Sequence, residues 1–167
     1  MSPAPGGALG ALEGSGLGQA MRQWLWLYPS VEIVHIVGIG LLFGSIAVLD
    51  LRLLGLSRHI PVRVLAKHVL PWSLAAFLLI VPSGLLMFTA HATEFIESEV
   101  FILKICLIMA AFLNAGLFHA ITFRTADVWD AEEMRKLRPP PSARVAGGLS
   151  LLLWISVIAC GRLLAYF

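Results

Sequence analysis

The stretch VEIVHIVGIGLLFGSIAVLDLRLL, residues 31–54, decides the fold. Its 24 residues include only four ionisable groups: Glu32, His35, Asp50 and Arg52. About 20 apolar residues, rising ~1.5 Å each as a helix, cross the ~30 Å hydrocarbon core of a bilayer. In hydrocarbon the backbone has no water to pair with, so a helix is expected rather than a lone strand. The Leu and Ala content agrees with that expectation.

Three further runs share this character. With the aromatic lead Trp24, Trp26 and Tyr28 joined to the first, the expected helices cover 24–54, 69–90, 100–122 and 145–166. Tryptophan and tyrosine favour the membrane interface, which suits them as an anchor for the first helix. The whole chain is 59% hydrophobic and 13% charged. Soluble domains are nearer 45–50% and 25%, so the bilayer is the expected solvent and partner. A net charge of +2 is too small to point to nucleic acid. No nucleophile motif, phosphate loop or dinucleotide fingerprint occurs.

The expected fold is therefore all-α: an integral membrane four-helix bundle, up-down-up-down, spanning 23–167. Residues 1–22, rich in Gly, Ala, Ser and Pro, read as a disordered lead-in without the features of a signal peptide. The first and third connections hold Arg58, Arg63, Lys67, Arg124, Arg135, Lys136, Arg138 and Arg144. The other side has only Arg22, Lys104 and Arg162. The positive-inside rule then puts both termini on the extracytoplasmic side of a bacterial inner membrane. Pro139-Pro140-Pro141 cannot continue a helix. Pro71 is expected near the start of the second helix, and Pro82 as a kink inside it.

Polar groups in hydrocarbon are costly, so each asks for a reason. Glu32 and His35 share a helix face, and a charge network with Lys104 and Arg162 at the same depth is expected. Gly40 and Gly44 form a small-xxx-small pair suited to close approach of another helix or a flat cofactor. Topology sorts the histidines into two layers, His35 with His91 outside and His68 with His119 inside. Facing imidazoles on different helices can hold b-type haem, one or two here. His68 and His91 are separated by about 34 Å of helix, so one or both sit at an interface. Asn114 is expected to bond between helices. Asp50 and Arg52 read as an interfacial anchor or an ion pair. Cys106 and Cys160 read as buried thiols acting as small hydrophobes.

The segments WLYPSVEIVHIVGIGLLFGSIAVLDLRLLG, LPWS, FILKICLIMAAFLNAGLFH and LSLLLWISVIACGRLLAY resemble the DUF6644 family of bacterial membrane proteins. That resemblance implies the four-helix fold and little chemistry. A looser likeness to copper-resistance D (CopD) and cytochrome b561-like proteins rests on architecture and histidine placement, and it implies haem or copper. The chain lacks the Met-rich or Cys-rich clusters that copper(I) prefers.

Three functions remain open. In the first, haem b ligated by His35, His91, His119 and His68 carries electrons from a quinol to a periplasmic redox partner, with Lys104 or Arg162 near the propionates. In the second, Glu32, His35 and Lys104 line a path for a small ion or metal, which implies a homo-oligomer. In the third, the chain is an accessory subunit whose polar residues organise packing.

Overall fold

The computed structural model describes residues 7–131, 138–164 and 166, and the described elements are all helical. Two short helices open the chain, α1 (Ala8–Glu13) and α2 (Gly16–Gln23). The long helices are α3 (Leu27–Leu54), α4 (Val62–Ala90), α6 (Glu99–Leu117) and α8 (Pro141–Leu163). A short α5 (Ala92–Glu97) joins α4 to α6. Past Leu117, a π-turn over Phe118–Thr122 and a 3-10 turn over Phe123–Thr125 lead into α7 (Ala126–Trp129). Four helical stretches are long and apolar enough to cross a membrane, and most of their apolar surface faces outward. That is the pattern of a protein dissolved in lipid, where an apolar exterior costs nothing.

The helix ends follow from local chemistry. Gly55 closes α3 in the left-handed region (φ +109°), while the Leu56 N–H bonds the Leu51 carbonyl. Glycine adopts that backbone without steric cost. α4 starts at Val62, seven residues before the expected 69, because the Val62 N–H finds Asp130 Oδ2 at 2.6 Å. Pro71 therefore lies inside α4, and the polar Arg63-to-His68 stretch forms its first turns. α8 likewise starts at Pro141 rather than 145, with proline at the first helical position, where its missing N–H is harmless. Residues 132–137 of the mixed-charge connection lie outside the described residues.

Residues 8–23 are not a disordered lead-in. α1 and α2 form a hairpin capped by Ser15, whose Oγ accepts from the Gly18 N–H. The hairpin docks on the far end of α4. Arg22 donates to the Ala90 carbonyl at 2.8 Å and to the Glu13 carbonyl at 2.6 Å. The Thr93 N–H bonds Glu13 Oε1 at 2.7 Å, which holds that carboxyl below the usual glutamate range. Met21 is buried in the joint. Composition hid this hairpin because long-range bonds, rather than a long apolar run, secure it. Residues 1–6 lie outside the described residues.

Neighbouring long helices run antiparallel. His35 of α3 meets Ser83 of α4, and Asn114 of α6 meets Ala146 of α8. The bundle thus has a terminal face, where α3 and α6 begin, and a loop face, where α4 and α8 begin. α3 is the central element, packed on both α4 and α8, while α6 packs on α8. Between the long helices, two glycines set the closest approaches. A Cβ on Gly38 would stand 2.8 Å from Ile80 Cγ1, and one on Gly147 would stand 3.0 Å from the Asp50 carbonyl oxygen. Gly40 and Gly44 instead face open space, so the expected packing pair is not the one used within the chain.

The fourth seam is different. α4 and α6 hardly meet through their backbones. Aromatic side chains bridge them: Phe88 with Phe101 at 5.9 Å towards the terminal face, and Phe77 with Phe112 at 5.4 Å near the middle. Beyond Phe77 and Phe112, towards the loop face, the seam holds a cavity.

Candidate functional site

The structure sorts the sequence-selected polar residues into three groups. The first surrounds His35. Its Nδ1 lies 2.9 Å from Ser83 Oγ. Ser83 spends its only proton on carbonyls of its own helix, those of Leu79 and Ile80. Its oxygen can then only accept, so the neutral His35 carries its proton on Nδ1 and keeps its lone pair on Nε2. Gly84 makes room for the ring, since a Cβ there would sit 3.1 Å from His35 Cε1. Lys104 lies against α8 at Gly161, where its Nζ would stand 3.5 Å from a Cβ.

The second group does not join the first. Glu32 is exposed and, among the described residues, has no hydrogen bond or ion pair. Arg162 turns away to Tyr166, bonding its hydroxyl at 2.7 Å and covering its ring. Among the described residues, no hydrogen bond or ion pair joins any two of Glu32, His35, Lys104 and Arg162. His91 packs against Tyr28 and Phe95 and faces Glu94 at 3.2 Å. Tyr28 precedes His35 by seven residues on α3, so the two imidazoles are offset by roughly 10 Å along the bundle. His68 is exposed, with Nδ1 on the Val64 carbonyl of its own helix. Neither expected histidine pair is brought face to face.

The third group lines the cavity. It encloses about 170 Å³ between α3, α4, α6 and α8. Phe77, Phe112, Phe118 and Trp154 supply much of its wall. Its polar groups are Asp50, Ser73, Asn114, His119 and Ser150. Asn114 bonds the Ala146 carbonyl at 3.0 Å, so it does bond between helices as expected. His119 places Nδ1 2.9 Å from the Ala115 carbonyl, which again leaves the neutral ring with Nε2 as acceptor. It sits on the π-turn, an irregularity that alters the direction of side chains against a regular helix.

Asp50 is the residue whose role the sequence understated. It is only 5% exposed. Oδ2 has no partner among the described residues. A buried polar atom without a partner is expensive, so it asks for a reason. Arg52 is not that partner. Residues two apart on a helix do not share a face, and Arg52 turns to Asp130 in a buried ion pair at the loop face. It also donates to the Ile60 carbonyl at 2.7 Å. Spacing alone flags this separation, whereas Ser73 and Ser150 carried no signal against their apolar neighbours. Among the described residues, no three His, Cys, Asp or Glu side chains lie close enough to hold a metal ion.

These features define a class of protein: a small helical membrane bundle with a polar-lined cavity in an incompletely closed seam. The chain belongs to the DUF6644 family, a family of unknown function, which it matches over residues 12–167. The match begins within α1 and so takes in most of the terminal hairpin along with the four long helices. No curated protein and no solved structure matches the chain.

Proposed function

We propose that this protein binds a lipid-soluble molecule, taken up sideways from the bilayer between α4 and α6. The observation that carries the reading is Asp50, a buried carboxyl with one oxygen unpartnered among the described residues, in the wall of a largely apolar cavity. Pockets that bind small molecules commonly pair apolar walls with a few convergent polar groups. The α4–α6 seam supplies an entrance that water-soluble ligands would not need. The cations of the loop face support a cytoplasmic position for it, with both termini across a bacterial inner membrane. The cavity then opens in the cytoplasmic half of the bilayer.

The test is titration of the detergent-solubilised full chain with a decyl-substituted aromatic ether. Saturable binding that disappears in Ala115→Trp, which fills the cavity, is the expected result. Identical unsaturable partitioning into both proteins would sink the reading.

A second reading is a b-type haem on His35. Its support is the Ser83 bond, which fixes the tautomer and leaves the lone pair on Nε2, as a bond to the far ring nitrogen does for metal-bound imidazoles. Lys104 would then stand near a propionate. Reduced haem bands at near-stoichiometric amounts, lost in His35→Ala, are the expected signature. A clean protein without bands, expressed with ample haem, would remove this reading.

A further inference from the structure

Two residues of the cavity wall each offer an acceptor with no donor among the described residues. Asp50 Oδ2 on α3 is buried and unpartnered among the described residues. His119, on the π-turn after α6, has Nδ1 engaged with a carbonyl, so the neutral ring offers Nε2 as an acceptor. Both residues line the same space, and aromatic rings line it with them. The occupant that satisfies all three features is flat, apolar on its faces and equipped with two hydroxyl donors.

We propose that the cavity binds the head group of a hydroquinone carrying a lipid-soluble tail. This rests on the reading of the cavity as a site for a lipid-phase molecule. One hydroxyl donates to Asp50 Oδ2 and the other to His119 Nε2. The ring lies among Phe77, Phe112, Phe118 and Trp154, in the offset or edge contacts aromatics prefer. The tail leaves through the α4–α6 seam, where side chains rather than packed backbone close the bundle.

Other occupants fit less well. A hard divalent cation wants six or more oxygens, or several waters. Here there are one carboxyl, two serine hydroxyls and one asparagine amide oxygen, too few for such a shell. A phosphate head group would bring its charge into a wall that holds no lysine or arginine. A single-hydroxyl lipid would leave one acceptor bare.

The experiment compares a decyl-substituted 1,4-benzohydroquinone with its dimethyl ether, by titration of the full chain in detergent at pH 8 under reducing conditions. The ether keeps the ring and tail and lacks both donors. The hydroquinone is expected to bind about tenfold tighter or more, the scale of hydrogen bonds to a charged acceptor. Asp50→Asn should lower that preference, since its amide oxygen is a weaker, neutral acceptor. His119→Ala, at a partly exposed position, should lower the preference too, which keeps the test decisive if Asp50→Asn does not fold. Equal binding of hydroquinone and ether by the natural chain would overturn the hydroquinone assignment and leave the lipid-phase cavity standing. Failure of both to bind saturably would overturn the two together.

Discussion

At the scale of single residues, the informative groups are those whose partner is fixed by geometry rather than by sequence distance. Arg52 and Asp130 are 78 positions apart, yet they form a buried pair. Asp130 also receives the first N–H of α4, so one carboxylate ties together the end of α3, the start of α4 and the segment after α7. Breaking a buried pair strands a charge, which typically costs about 3–5 kcal/mol. Asp130→Ala is expected near the lower end, because Arg52 keeps its bond to the Ile60 carbonyl. Asp127→Ala breaks the exposed pair with Arg63 and should cost less than about 1 kcal/mol. Unfolding of both variants in detergent checks the contrast. Equal losses would mean that the buried pair carries no special share of stability.

At the scale of elements, small residues decide which helices touch. Gly38 faces Ile80 and Leu79 across the α3–α4 contact, while Gly40 and Gly44 look outward. A larger side chain at Gly38 must push against packed neighbours, and overpacking of this kind costs about 1–3 kcal/mol. Gly38→Val should therefore destabilise the bundle, whereas Gly40→Val should be nearly neutral in the monomer. Unfolding of the two variants side by side in detergent reads this directly. A larger loss at Gly40 would mean that its outward face is covered in solution.

Element existence was legible for a physical reason. A run of about twenty apolar residues has few alternatives to a spanning helix. Helix starts were less legible. Val62 begins a helix because Asp130 accepts its N–H, and no local pattern announces a partner so far along the chain. The terminal hairpin escaped notice for the same reason, since Glu13 and Arg22 are held by Thr93 and Ala90.

At the scale of the whole molecule, sequence reading found the polar residues more readily than their grouping. His35, Lys104, Asn114 and His119 all have defined places, but depth along a helix does not say which face a residue occupies. His35 and His91 were matched by approximate depth. Their actual neighbours, Ser83 for one and Tyr28 for the other, hold them at different levels. From sequence alone Asp50 reads, with Arg52, as an interfacial anchor or an ion pair, because the two charges lie only two positions apart. The cavity itself could not be read from sequence. It arises where α4 and α6 fail to close, a property of the assembled bundle and of no single segment.

That open seam has a mechanical consequence. α3 and α8 form a spine, with α4 on one edge and α6 on the other; along the apolar length of the seam aromatic rings rather than packed backbone join the two leaves, while Val62 and Arg63 tie the loop-face end of α4 to the segment after α6. Parting the leaves along that apolar length separates side chains only, so the work of opening there is done mainly against the surrounding acyl chains. The aperture should then respond to how tightly those chains press, and a softer or thinner membrane becomes a control on traffic through the protein without any change in its sequence.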